Sequence, residues 1–371
     1  MTQGQRTGSD FVASFEGDFP YVLTSTLAIL GTACEYEGFD QWIYVTYAAL
    51  ADELRKDITQ VFGPLGVSLI LRRLVAESPD LPDLTSFVGW LSLMDDGLVR
   101  EHVACGLTEM AAKTEAGAEA APPLDDEAAI RHFLTEVSTC GWTETSHKDP
   151  AYFDQIVRLL GSPEQLKARL VFTVTRFWEA HYGKEYEETR RLIDRNVTRH
   201  RQLARSQDLT DLYLRVTGKP MTAGSLKKYS KLERVLFLPT CYSGAYVSLV
   251  SLDSNHRSLA LIYNCRPQSG NGTAQDQALP SLFPPLKALA DETRLEILSI
   301  LADGELYAQQ IVDRLEISQP AVSRHLKLMV TVGLLAERKE NGMKFYRVRE
   351  ETLSDMARRI ATLAARGSDE A

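Results

Sequence analysis

Near the carboxyl end, the run Ile317-Ser-Gln-Pro-Ala-Val-Ser-Arg-His-Leu-Lys327 carries amide, hydroxyl, guanidinium and ammonium groups at helical spacing. Val322, Leu326 and Met329 recur at i, i+4 and i+7, which assigns them to the inward stripe of a helix over 319–330. Gln319, Ser323 and Lys327 then share the opposite side, with Pro320 and Arg324 beside them. Ser318 stands where an N-cap belongs. These side chains are the donors needed at phosphate oxygens and base edges in a major groove, and a helix N-terminus adds backbone N–H groups and positive dipole. Downstream, two short extended runs, 335–340 and 343–348, flank Asn341-Gly342, the strongest short-range hairpin signal. Arg338, Lys339, Lys344 and Arg347 on those flanks make a basic wing able to track a phosphate backbone.

The elements around these groups are helices. Pro284-Pro285 opens one over 286–290, and 293–302 gives a second, with Leu295, Leu298 and Ile300 or Leu301 inward and Asp303-Gly304 as its stop. A third over 307–315 buries Ile311, Val312 and Leu315. Only Glu316-Ile317 separates it from Ser318, and so short a turn between two short helices is the helix-turn-helix signature. At the end, 350–366 repeats Leu353, Met356, Ile360 and Leu363 at spacings of three, four and three, an apolar stripe suited to pairing in a dimer.

The whole chain of 371 residues is acidic, with a net charge of −9, and charge alone would argue against a nucleic-acid partner. Located along the chain, it argues the reverse: 314–349 holds eight basic residues against three acidic ones, a local excess of five positive charges. The length implies two or three domains. Hydrophobic residues at 44% and charged residues at 25% exclude disorder, collagen and coiled-coil rods. The first twenty residues lack an apolar signal core, and 21–30 is too short to span a bilayer, so a cytoplasmic protein is expected. Five scattered cysteines read as reduced thiols, mostly in the core.

Composition divides the chain at 266–280, a Gly-, Gln-, Ser- and Asn-rich linker, with a lesser break over 111–126. The expected domains are 1–265, a helical sensor or dimer-regulating region, and 281–371, the winged helix-turn-helix with its dimerisation helix. In the first, helical spacing appears over 40–62, 66–76 and 126–138. It continues over 163–206, capped by Ser162 and open to interruption at Gly183. Short runs at 234–240, 245–252 and 259–265 then predict a small antiparallel sheet. The fold class is mostly α with small β elements, α+β.

The strings Leu286-Lys-Ala-Leu-Ala-Asp-Glu-Thr-Arg294, Ile317 to Lys327 and Gly333-Leu-Leu together resemble the ArsR/SmtB family of bacterial winged-helix repressors over about a quarter of the chain. The resemblance implies a homodimer on a palindromic double-stranded DNA operator, with Ser318, Gln319, Ser323, Arg324 and His325 at the DNA. Metal-sensing members place a Cys-x-Cys after Glu-Leu; here the run is Glu305-Leu306-Tyr307-Ala308-Gln309, which supplies no thiolate. A second family site uses Asp and His on the last helix, which here has no histidine. No metal and no cofactor are therefore expected, and any small-molecule effector should act before residue 266. That region is similar to an uncharacterised domain found ahead of ArsR-type heads in bacterial proteins, which carries no known ligand.

Sharper readings fare worse than plain ones. His325 in a helix is better explained by packing or phosphate contact than by metal ligation, and His102, Cys105, His132, Cys140 and His147 match no zinc spacing. Trp42, Tyr44, Tyr47, Trp178, Tyr182 and Tyr186 read as core or interface before they read as a ligand cage. The Arg- and Glu-dense 186–201 is a solvated helix. No nucleophile elbow, phosphate loop, zinc-protease or dinucleotide motif occurs, so no enzyme is expected. The rival reading is an enzyme or small-molecule-binding protein whose winged helix is a protein-association module.

Overall fold

The structure is a computed structural model that describes residues 11–33, 37–63, 78–112, 121–139, 150–205, 208–221, 223–253, 257–266, 282–340 and 343–366. The expected helix over 66–76, the 267–280 part of the linker and the Asn341-Gly342 turn lie outside the described residues. Two compact units emerge. The first is Met1–Cys34 with Phe39–Arg266, and the second is Glu35–Gly38 with Pro267–Ala371.

In the first unit, strand β1 (Val12–Phe15) leads into helix α1 (Phe19–Gly31), all of whose residues except Ile29 are buried. A helix apolar all round belongs at the centre of a domain. Its polar run Thr24-Ser25-Thr26 is tolerated there because the hydroxyls donate to carbonyls one turn back: Thr24 to Pro20 at 2.7 Å, Ser25 to Val22 at 3.0 Å and Thr26 to Val22 at 2.8 Å. Around it follow α2 (Gln41–Ala49), α3 (Asp52–Phe62), α4 (Leu84–Leu93), α5 (Asp96–Ala112), α6 (Glu127–Thr139) and α7 (Pro150–Gly161).

Helix α8 (Pro163–Phe177) starts at Ser162, whose hydroxyl accepts from Gln165 N, and buries Leu166, Leu170, Val174 and Phe177. A π-turn over Trp178–Tyr182 carries it into α9 (Gly183–His200), so Gly183 bends nothing out of the helix. It is the residue that fits there: a Cβ would lie 3.1 Å from the Trp178 indole nitrogen and 3.2 Å from the Trp178 carbonyl oxygen. Helices α10 (Leu209–Thr217) and α11 (Ala223–Lys228) precede strands β2 (Arg234–Thr240), β3 (Ser248–Ser251) and β4 (Ser258–Asn264).

The sheet runs β1-β2-β4-β3 and corrects the expected antiparallel arrangement. Only β3 and β4 are antiparallel; β1 pairs parallel with β2 and β2 parallel with β4, in a register that sets Val235 opposite Leu259 and Thr240 opposite Asn264. The reason lies in burial. Six of the seven residues of β2 and the central five of β4 are buried, a continuous apolar run of the kind found in two-sided parallel strands, which carries no alternation from which direction could be read.

The second unit comprises α12 (Phe283–Leu289), α13 (Glu292–Ala302), β5 (Leu306–Tyr307), α14 (Ala308–Leu315), α15 (Gln319–Thr331), β6 (Leu335–Glu340), β7 (Met343–Val348) and α16 (Glu350–Arg366), with a sheet ordered β5-β7-β6. This is a winged helix-turn-helix, and the α+β class holds for the chain. In α13 the inward register is Arg294, Ile297 and Leu301. Leu295, expected inside, is 52% exposed, because the aliphatic stem and bonded guanidinium of Arg294 take the inward row. Among the described residues no helix is long and apolar enough to cross a membrane.

Gly31 marks the closest approach of α1 to α3. A Cβ there would sit 2.7 Å from the Phe62 carbonyl carbon and 2.9 Å from Gly63 N, all of it backbone that no rotamer change can move. Gly31→Ala should therefore cost about 1–3 kcal/mol in denaturant unfolding. The control is Gly89→Ala within α4, where a Cβ meets nothing within 4 Å; it should leave stability unchanged or raise it.

Candidate nucleic-acid interface

The register of α15 is fixed by what it hides. Val322, Leu326 and Met329 are at most 1% exposed, and Leu328 joins them in the core. The chain enters through Glu316, whose left-handed backbone (φ 55°) closes α14 by returning its N–H to the Val312 carbonyl at 3.0 Å. Three residues, Glu316 to Ser318, thus turn the chain from α14 into α15. Ser318 holds the extended N-cap backbone, but its hydroxyl makes no capping bond; its carbonyl accepts from Val322 N at 3.1 Å.

With the apolar stripe inward, Ser318, Gln319, Ser323, Arg324 and Lys327 are all exposed and Pro320 is half-buried at the first turn. His325 stands apart. Only 20% of its side chain is exposed, and its Nδ1 lies 3.8 Å from Asp291, the N-cap of α13. Burial pushes its pKa below the usual value, aided by Arg294 and Arg324, although the Asp291 and Glu37 carboxylates oppose it. Neutral at physiological pH, this ring packs at the foot of the helix.

Arg294 holds that foot. Its guanidinium donates to the Ala288 carbonyl at the end of α12, pairs with Asp291 at 3.6 Å, and pairs at 2.9 Å with Glu37 of the Glu35–Gly38 excursion that belongs to the same unit. Asp291 in turn accepts from Arg294 N at 3.0 Å and caps α13. Sequence reasoning treated Arg294 as part of a family string and not as an inward residue; its place one turn before Ile297 and Leu301 was the available signal.

The wing pairs β6 with β7 so that Arg338 faces Phe345 and Lys339 faces Lys344. Its cations are not all at liberty. Arg338 is clamped by Glu305, with Nε and Nη2 at 2.7–2.8 Å from the carboxylate, is paired with Glu340, and lies 4.6 Å over the Phe345 ring. Lys344 pairs with Glu337 at 3.2 Å. Arg347 is exposed, and the side chain of Lys339 lies outside the described residues. Counting charge over 314–349 could not see Glu305, which reaches the wing from before α14.

On the last helix, Met356 is buried, Leu353 is half-buried and Ile360 is 43% exposed, while the Leu363 side chain lies outside the described residues. The stripe therefore begins in the unit's own core and ends on its surface.

The family model described as bacterial regulatory protein, arsR family, matches residues 291–337. The chain is 36% identical over 75 residues to the arsenical resistance operon repressor of Staphylococcus aureus, covering 20% of this chain and 72% of that protein. It is 48% identical over 61 residues to the transcriptional activator HlyU of Vibrio cholerae, covering 16% of this chain and 56% of that protein. Among solved structures, the homodimeric winged helix-turn-helix DNA-binding domain from Mycobacterium bovis is 28% identical, covers 27% of this chain and 91% of its own, and gives a TM-score of 0.22. These alignments fall in the second unit's sequence and span from about half to nine-tenths of the relatives' own length.

The depressed pKa of His325 has a thermodynamic consequence. The unfolded chain binds this proton at about pH 6.5, the folded chain only lower. The stabilisation from the neutral ring is complete above that value and is lost as pH falls through the folded one. The stability of wild type relative to His325→Gln, followed by denaturant unfolding from pH 7.5 to 5, should decline with acid; a difference independent of pH would contradict the assignment.

Proposed function

Because the chain belongs to the ArsR family of bacterial regulatory proteins, we propose that it is a dimeric transcriptional repressor that lays α15 in the major groove of a palindromic operator. The observation that carries this reading is the division of α15 into a buried row, Val322, Leu326 and Met329, and an exposed row of Ser318, Gln319, Ser323, Arg324 and Lys327. Pro320 sits between them at the first turn, and Arg338, Lys339, Lys344 and Arg347 of the wing follow the phosphates beside it. His325 supports the helix from behind.

Repression fits a dimer that occupies the promoter. Relatives bear both names, an operon repressor and an activator, and a reporter placed behind the chain's own upstream region decides between them: its expression rises on deletion of the gene if the chain represses. Control by metal at the usual family position has no support, since Tyr307 packs its ring against Phe345 and Gln309 bonds to Asp313, and neither supplies a thiolate. The region 1–265, most of which lies in the first unit, serves as the regulatory region, transmitting an effector or altering dimer geometry across the 266–280 linker. No enzyme activity is assigned to the chain; the relatives of its 291–337 segment are regulators.

Mobility shift against the upstream region tests the DNA reading. Wild type should give a specific complex at low salt, and none with folded protein would overturn it. Arg324→Ala should weaken binding and lower the salt slope by about one. Arg338→Ala should lower the slope by less, because phosphate contact by Arg338 requires giving up Glu305 and Glu340.

Dimerisation through α16 rests on the stripe Leu353, Met356, Ile360 and Leu363. Ile360, exposed by 43%, is the informative position, since a charge there leaves the unit's core intact. Ile360→Asp should shift sedimentation toward monomer and weaken operator binding, with an unchanged far-UV spectrum.

A further inference from the structure

The carboxyl ends of β2 and β4 bring together two thiols that no step above uses. The ladder continues one residue past each strand: Thr240 opposes Asn264, and Cys265 N donates to the Thr240 carbonyl at 2.8 Å. Cys241 and Cys265 therefore stand side by side on adjacent parallel chains, with their sulfurs 3.6 Å apart. Neighbouring strands lie about 4.8 Å apart, inside the Cα separation of about 4.4–6.8 Å that a disulfide accepts. Closing the sulfurs to a bond length of about 2.05 Å asks for an approach of about 1.5 Å.

We propose that Cys241 and Cys265 form an oxidation site, a dithiol that peroxide converts into an intramolecular disulfide. Cys265, 8% exposed, is the sulfur that meets the oxidant, and the fully buried Cys241 resolves it. The Cys265 sulfur attacks the peroxide O–O bond, giving a sulfenic acid and water; the Cys241 sulfur then displaces the second water. Both S–H bonds break, one S–S bond forms, and the two electrons reduce hydrogen peroxide to two molecules of water.

Reactivity is restrained by the surroundings. The neighbouring Cys241 sulfur and burial both push the Cys265 thiol up, so the thiol form dominates at neutral pH. Since the thiolate is the attacking species, oxidation should be slow at pH 7 and accelerate about tenfold per pH unit. The site also sits at a strategic place in the chain: Cys265 immediately precedes Arg266, the last residue of the first unit, which pairs with Glu185 at 3.1 Å and lies over the Tyr242 ring.

The test uses the full-length reduced protein treated with hydrogen peroxide at pH 7 and pH 8, alkylated, digested without reductant and mapped by mass spectrometry. A Cys241–Cys265 linked peptide, lighter by two hydrogens than its reduced parts and formed about tenfold faster at the higher pH, is expected. Cys105, on α5, stays alkylated and serves as the internal control. The same treatment in denaturant should scatter the pairing among the five cysteines, which separates native juxtaposition from chemistry alone. Pairing of either residue with another cysteine under native conditions, or oxidation of Cys265 to sulfinic acid with Cys241 left as thiol, overturns the proposal. Cys265→Ser, which keeps a small polar side chain, should abolish the linked peptide; should it not fold, the wild-type map alone decides. The result is independent of whether the chain binds DNA.

Discussion

Three apolar side chains on one helix, Val322, Leu326 and Met329, set the orientation on which the second unit depends. Burying them at i, i+4 and i+7 leaves α15 a single way to lie, and the polar groups of the opposite face have no choice but to point outward. Each buried side chain contributes about 1.5–3 kcal/mol relative to exposure, so rotating the helix by one residue would forfeit several kcal/mol. Direction here is a by-product of the hydrophobic effect. The foot of the helix is secured differently, by the Arg294 guanidinium shared among Ala288, Asp291 and Glu37.

How much of this was legible follows from the physics of each signal. The helix-turn-helix and hairpin were readable because caps, stop residues and the 3.6-residue period are local, and the strand limits 335–340 and 343–348 agree with those observed. Long-range pairing was not readable. Glu305 reaches Arg338 across 33 residues and removes much of the positive character assigned to the wing, and no window count can anticipate that. Arg294, which the sequence offered only as part of the family string, is 5% exposed, because a guanidinium with three partners can be buried where an unpaired one cannot. His325 belonged by sequence to the contact face, yet its position three residues after Val322 and one before Leu326 places it on the flank of the buried row.

The first unit was legible as helices followed by short strands, but not as a mixed sheet. Parallel pairing joins segments distant in sequence, and β1, four residues long, offers too little pattern to be found at all. The aromatic residues that suggested a ligand cage or a core resolve toward core: Tyr182 is fully buried, its hydroxyl 3.2 Å from that of Thr26, while Trp42 stacks on Tyr242 with ring centres 4.5 Å apart. Tyr242 in turn bonds to Thr189 at 2.6 Å and to Glu185 at 3.2 Å. Burial raises the Glu185 pKa, against the pull of Tyr242 and Arg266.

The π-turn at Trp178–Tyr182 makes the reading frame of the long helical segment count. A wide turn absorbs an additional residue without breaking the rod, and each residue of a regular helix advances the azimuth by about 100°. Tyr186, Thr189, Ile193 and Val197 are buried in the phase set after that slip, not in the phase of Leu166, Leu170 and Val174 before it. A single-codon deletion within 178–182 would close the bulge into a regular spiral and leave the downstream row facing the core, whereas the same deletion in the regular turns on either side would swing the residues that follow by about 100°.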